Sequence, residues 1–286
     1  MAIAVTTASG KLGRSIIEIL KKSSLAEPVI GVARTPEKAS GLGVEVRMGD
    51  YDNEEQLIAS FRGVRTLMLI PGMAPPDDRI DQHRNVIRAC LKNNVQKIVY
   101  ASIIGADSGN GFAPIVQSNR TTERDIVESG VVWAIGRNGV YIDPDIDYID
   151  HYQNAGEIVN CAGQGRCSYA ARDELAHAYA ALLGKDHYNG AVANLCGKAI
   201  TQSELAKLLT MTFGPRLSYR DTDVKTFKQD RIQALGPFIG SVIGGIYEGI
   251  RQGTFDVASD FEGVTGRAHR SWEDYFSSLR VPNDAP

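Results

Sequence analysis

The chain has 286 residues, 43% of them hydrophobic and 23% charged, enough apolar material for one large domain or two interlocked ones. Its formal charge is −3 with Lys and Arg scattered rather than massed, which argues against a nucleic-acid or anionic-membrane surface and for small-molecule ligands. The longest apolar stretch, Ala234 to Tyr247, is broken by Gly and Pro and falls short of the roughly 20 residues that span a bilayer.

The N-terminus opens directly on a strand pattern with no basic segment and apolar run before it, so a cytoplasmic protein is expected. Short β-branched runs then alternate with helix-length amphipathic stretches. The predicted strands are Ala2–Thr6, Val29–Ala33, Val44–Met48, Thr66–Ile70, Lys97–Ala101 and Val131–Ile135, several with apolar residues on consecutive positions, as strands covered on both faces have. Between them, helices are predicted over Lys11–Lys22, Glu54–Phe61, Ile80–Asn93 and Arg120–Ser129. This is an α/β pattern, a Rossmann-type doubly wound parallel sheet whose ligands bind at the carboxyl ends of the strands. After Arg137 the alternation gives way to Gly-, Asp- and Tyr-rich segments, a strand at Val192–Leu195, and helices near Gln202–Thr212, Val224–Leu235 and Trp272–Leu279. Residues 1–140 are thus expected to form the dinucleotide-binding domain. Residues 141–286 should form a smaller C-terminal substrate-side lobe, packed on the first and partly interleaved with it, since no Pro/Ser-rich linker separates them. The four cysteines lack C-x-x-C spacing and read as reduced thiols.

The first strand runs into Thr6-Thr7-Ala8-Ser9-Gly10-Lys11-Leu12-Gly13, with a helix beginning inside the loop. A pyrophosphate would sit there on backbone N–H groups at the positive end of the helix, Gly10 allowing close approach and Gly13 close helix packing. At the end of the second strand stands Arg34, with Lys38 four residues on, where an NAD-preferring protein would carry Asp or Glu for the ribose 2′-hydroxyl. NADP(H) is therefore the expected cofactor, its 2′-phosphate meeting the guanidinium fork.

The loop resembles the T-G-A-T-G-x-L-G of the NmrA-like branch of atypical short-chain dehydrogenase/reductases. Agreeing segments are Val32-Ala33-Arg34, Gly49-Asp50, Gln82-His83-Arg84-Asn85-Val86-Ile87, Tyr100-Ala101-Ser102, Thr122-Glu123, Ser129-Gly130-Val131 and Arg137-Asn138-Gly139-x-Tyr141. Within that branch the chain is most similar to bacterial type 2 NAD(P)H:quinone oxidoreductases. The resemblance implies a cofactor site comprising Thr6, Thr7, Ala8, Ser9, Gly10, Lys11, Leu12, Arg34 and Lys38. It adds Asp50 and Tyr51 beside the adenine, Ile70, Pro71 and Gly72 beside the ribose and pyrophosphate, and Asn138, Gly139 and Tyr141 near the nicotinamide. Thr7 departs from the family, which has Gly there; a positive φ at a β-branched residue would cost about 1–2 kcal/mol, whereas an extended one would cost nothing.

No catalytic residue is assigned. No Tyr has Lys four residues on, so the Tyr-x-x-x-Lys proton donor of typical short-chain dehydrogenases is missing, and the His expected four residues before Glu123 is Asn119. An electron-poor quinone tolerates that lack, because its reduced anion takes a proton from water. The five histidines show no metal-ligand spacing, so no metal is expected, and His83, on an apolar helix face, reads as packed or cofactor-near. No G-x-S-x-G or G-x-x-x-x-G-K-[ST] motif occurs, and Ser102 reads as positional. The leading expectation is NADPH-dependent reduction of a quinone-like small molecule. The alternative is a non-catalytic NmrA-like redox sensor acting through a protein partner, and a third reading is reduction of a lignan-type bond.

The segment Gly236–Arg251 carries glycines at 236, 240, 244, 245 and 249, each lowering interior helix stability by roughly 0.8–1 kcal/mol. It is predicted to be a mobile lid presenting Phe238, Ile243 and Tyr247 to a flat ring, with Tyr141 on the opposite wall. Close helix packing, or a homodimer contact through Gly236, Gly240 and Gly244, is the alternative.

Overall fold

A computed structural model describes residues 1–23 and 27–280. Strands β1 (Ala2–Val5), β2 (Val29–Ala33), β3 (Glu45–Met48), β4 (Val64–Leu69), β5 (Lys97–Ile103) and β6 (Val132–Asn138), with Val192–Leu195 added at the far edge, make one parallel sheet. Its order is Val192–Leu195, β6, β5, β4, β1, β2, β3, so the winding reverses between β1 and β4. That reversal opens a crevice at the strand carboxyl ends.

Both faces are covered. Ile3 and Val5 point into a core built with Leu12, Ile16, Ile17 and Leu20 of α1 (Lys11–Lys22). Ala2 and Ala4, alternating with them, point into the opposite core under α2 (Glu54–Ser60) and α3 (Pro76–Lys92), with Leu57, Phe61, Val86 and Cys90. The period of two along a strand and of 3.6 along a helix thus meet without conflict. The remaining helices are α4 (Ala113–Glu128), α5 (Asp143–Asp147), α6 (Ile149–Ala155), α7 (Arg172–Gly184), α8 (Gln202–Phe213), α9 (Val224–Leu235), α10 (Pro237–Arg251), Phe261–Thr265 and Trp272–Ser278.

The second half is threaded into the first. Val192–Leu195 pairs with Ile135–Asn138 of β6, and α7 lies beside α1 in the same core. A third core gathers Phe112, Ile115 and Val116 from the first half with Ile158, Tyr169, Leu205, Leu209, Phe255 and Trp272 from the second. All four cysteines are free and buried.

Two elements begin earlier than their periodicity suggests. α3 starts at Pro76, whose fixed φ suits the first helical position, followed by Asp77 and Asp78 at the positive helix end. α4 starts at Ala113, seven residues before Arg120, because Ile115, Val116 and Asn119 are also buried. β6 runs on past Ile135 to Asn138, since Arg137 and Asn138 pair with Ser102 and Ile103 of β5.

α10 is a continuous helix, not the loosened segment expected from its glycines. A Cβ at Gly245 would overlap the backbone of Gly111 and Phe112, one at Gly240 would overlap Arg231 and Ile232, and one at Gly244 would stand 2.7 Å from Lys228 Cγ. The glycines let α10 lie flush against α9 and the Gly111–Phe112 turn. Tertiary contact therefore overrides local propensity, and close packing accounts for the run.

Candidate active site

The loop after β1 turns sharply, with Thr7 at φ 46°, in the left-handed region, and its carbonyl accepting from Gly10 N–H at 2.8 Å. The strained alternative for Thr7 is the one adopted. Gly10, by contrast, caps α1 at φ −80°. At Gly13 a Cβ would stand 2.6 Å from the Thr7 carbonyl oxygen, so only glycine lets the helix start this close to the turn.

Beside this loop is a cleft of about 480 Å³ lined by Thr7, Ser9, Arg34, Thr35, Lys38, Asp50, Tyr51, Gly72, Met73 and Gln82. The Arg34 and Lys38 side chains are exposed there and make no ion pair or hydrogen bond with any described residue. Two unneutralised cations on a cleft that adjoins a helix N-terminus fit a dinucleotide carrying a 2′-phosphate. The Tyr51 hydroxyl donates to the Ile70 carbonyl at 2.9 Å, fixing the ring in the wall.

Other members of the expected cofactor set do structural work. Thr6 is buried, its hydroxyl donating to the Met68 carbonyl and accepting from Ile70 N–H, so it ties β1 to the end of β4. Ala8 gives its N–H to the Val32 carbonyl, and Leu12 and Ile70 are buried in the core. Lys11 forms an ion pair with Asp147 of α5 at 2.7 Å. Pro71 follows β4, but the cleft wall there is formed by Gly72, Met73 and Ala74. Met73 and Thr35 are not among the expected site residues, and Gln82, noted only as part of a family segment, is brought to the cleft by α3.

Asn138 and Gly139 lie at the carboxyl end of β6. The Asn138 side chain accepts from the Tyr179 hydroxyl at 2.6 Å and donates to the Tyr141 hydroxyl at 3.2 Å. The Arg172 guanidinium lies over the Tyr141 ring, 5.3 Å from its centroid. Gly139 is forced by contact, because a Cβ there would overlap the Ser168 carbonyl.

Tyr141 also lines a second cavity, of about 520 Å³, closed by α5, α6, α9 and α10. Its walls are mostly apolar and rich in aromatic rings, with Tyr148, Tyr152, Tyr169, Phe227 and Tyr247, alongside Ile243 and Ile246. Of the residues expected on the lid, Ile243 and Tyr247 line it and Phe238 does not. Nine residues separate Phe238 from Tyr247, about two and a half helical turns, so the two side chains leave α10 on opposite faces. Asp145, His151, Glu157, Asn160 and Arg231 are the polar groups in this wall. The Asp145 carboxyl, 6% exposed, accepts from the Tyr152 hydroxyl at 2.7 Å, and burial pushes its pKa up to about 6. Arg231 lies over the Phe227 ring. Sequence reasoning missed Asp145, Tyr152 and Arg231; the run Asp143–Tyr152, dense in Asp and Tyr just past a strand end, was the available signal.

The residues left without a catalytic role, Ser102, Asn119, Glu123 and His83, are engaged with neighbours inside the fold. Ser102 donates to Glu123, which also takes Arg120 and Arg137. Burial pushes the Glu123 carboxyl up, but Arg137, Ser102 and Arg120 together hold it below the usual range. Asn119 is buried, bonded to the Tyr100 hydroxyl at 2.6 Å and the Ile115 carbonyl at 2.7 Å. His83 is packed between Tyr51 and Tyr100, its Nδ1 2.8 Å from the Thr122 hydroxyl, and burial, with Arg79 nearby, lowers its pKa to about 3. No cluster of metal-ligating side chains occurs among the described residues.

Comparison with known proteins agrees with this geometry. Residues 7–186 match the sequence family described as NAD(P)H-binding. Quinone oxidoreductase 2 of Escherichia coli is 32% identical over 79% of this chain and 79% of its own length. An NAD(P)H azoreductase of Xenophilus azovorans is 26% identical over 79% of each chain. Among solved structures, the NADPH-dependent quinone oxidoreductase of E. coli in complex with NADPH superposes with a TM-score of 0.88 at 29% identity, covering 97% of this chain and 99% of that one. The Citrobacter sp. triphenylmethane reductase complexed with NADP(H) gives 0.87 at 30% identity, covering 98% and 100%. The chain therefore belongs to the NAD(P)H-binding family, as an NmrA-like oxidoreductase related to quinone oxidoreductase 2.

Proposed function

We propose that the protein uses NADPH to reduce a flat, largely apolar, quinone-like acceptor. The observation that carries this reading is the aromatic cavity of about 520 Å³ that begins at Tyr141, directly beyond Asn138 and Gly139 at the end of β6. Such a cavity, mostly apolar with few polar anchors, matches flat conjugated ligands. When bound, the dinucleotide supplies two electrons and a proton as hydride. The chain's own residues do the rest: Arg34 and Lys38 meet the 2′-phosphate, Ser9 and the N-terminus of α1 meet the pyrophosphate, and Tyr141 and Tyr247 hold the acceptor ring. The relatives named for quinones, azo compounds and triphenylmethane dyes act on acceptors that share this extended conjugation. The deciding experiment follows NADPH absorbance against a panel of quinones. Turnover supports the reading; tight NADPH binding with no turnover on any acceptor would refute it and mark the protein as a dinucleotide sensor.

A further inference from the structure

We propose that Asp145, together with Tyr152, is the proton donor to the reduced acceptor. The proposal rests on the quinone-reductase reading above and adds the group that the chain otherwise lacks, since it has no Tyr-x-x-x-Lys pair and its Asn119 is locked to Tyr100.

The carboxyl of Asp145 is one of the few polar groups in the aromatic cavity and is 6% exposed, with a single side-chain partner, the Tyr152 hydroxyl at 2.7 Å. It forms no ion pair with any described residue. The groups that face it from the packed elements are Tyr152 of α6, Tyr247 of α10, and Tyr169 with Cys167 from the segment before α7, all neutral at ordinary pH. Elsewhere on the cavity wall stand Arg231, stacked on Phe227, Glu157, paired with Arg220, and His151, stacked on Tyr148. A carboxyl held this way keeps its proton at a pH where an ordinary aspartate has lost it, which is what a general acid needs near neutrality. Asp145, on α5, follows Tyr141 by four residues, and both line the same cavity.

The chemistry balances. The acceptor gains a hydride from the nicotinamide and becomes a hydroquinone monoanion; the O–H bond of Asp145 breaks and a new one forms at the second acceptor oxygen. Asp145 is left as carboxylate, hydrogen-bonded by Tyr152, and recovers its proton from water through the cavity mouth. NADPH is oxidised, the quinone is reduced, and one proton is consumed.

The test uses the full-length protein with NADPH and menadione over about pH 5 to 9. The wild-type kcat should fall as pH rises through about 6. Asp145→Asn should lower kcat about 100-fold, the low end for general acid catalysis, flatten the profile, and leave the NADPH Kd unchanged. Tyr152→Phe removes a hydrogen bond that favours the carboxylate, so its falling limb should move to higher pH. Infrared spectroscopy should show a protonated carboxyl band that titrates near pH 6 and is missing from Asp145→Asn. A wild-type profile carried over intact into both variants overturns the proton-donor assignment while quinone reduction stands. A wild-type protein that reduces no quinone overturns both.

Discussion

Replacing Thr7 by Gly tests the sharpest departure in the cofactor loop. A β-branched residue at φ 46° carries about 1–2 kcal/mol of backbone strain. The Thr7 hydroxyl makes no hydrogen bond with any described residue, so little opposes the change. Glycine removes the strain, but its freer unfolded chain returns about 0.5–1 kcal/mol. The net gain is about 0.5–1 kcal/mol, or roughly 1–4 °C in Tm for a chain of this size. Thr7→Ala keeps a Cβ in the left-handed region and should gain almost nothing. Calorimetric unfolding of the three proteins, with isothermal titration of NADPH, measures both quantities. Should Thr7→Gly melt lower than wild type and bind NADPH more weakly, the side chain makes a favourable contact and the strain argument fails.

Other outcomes follow from the same geometry. NADPH should bind at least several-fold more tightly than NADH, and Arg34→Glu should erase the difference in paired titrations, because the guanidinium supplies a charge-assisted bond to the 2′-phosphate. Tyr247→Ala should raise the quinone KM with NADPH affinity unchanged, whereas Phe238→Ala, on the opposite helix face, should leave both unaltered in steady-state assays. Gly245→Ala should destabilise by about 1–3 kcal/mol in denaturant melts, since its Cβ meets backbone that cannot yield. The Asp145 carboxyl is raised from 3.8 to about 6, so its stabilising contribution is full below the lower value and lost as pH rises through the upper. Asp145→Asn should therefore raise Tm relative to wild type at about pH 8 and not at about pH 4. His83 is lowered from 6.5 to about 3, the reverse case: its contribution is full above the upper value and lost as pH falls toward the lower, and His83→Gln should blunt acid unfolding in that window.

Much of the fold is legible in the sequence because it is written in local periods. β2, α1 and α9 have the boundaries their patterns predict, and Arg34 stands at the strand end where the two-period reading puts it. What escapes is set by distant parts of the chain. The glycines of α10 read as weakness along the sequence, yet the backbone of Gly111 and Phe112, over a hundred residues away, needs them. The conformation of Thr7 could not be chosen from its neighbours, because the turn is also tied across to β2 by the Ala8 N–H bond to the Val32 carbonyl. Asp145 carries no motif; only the closing of α5, α6 and α10 around it turns an ordinary aspartate into a buried one.

The edge strand Val192–Leu195 has a consequence for how such a protein can be altered. Because the second half completes the sheet of the first, a chimera joined at residue 140 would strip β6 of its neighbour and bare a row of backbone donors and acceptors. The two halves therefore share one sheet and cannot be separated at that point without exposing its edge. The α9–α10 hairpin is different, since it sits on the scaffold through glycine contacts and supplies Phe227, Arg231, Ile243 and Tyr247 to the wall of the aromatic cavity. Diversity of acceptors within such a framework can arise by replacing this single hairpin, a graft that leaves the cofactor cleft and the sheet as they are.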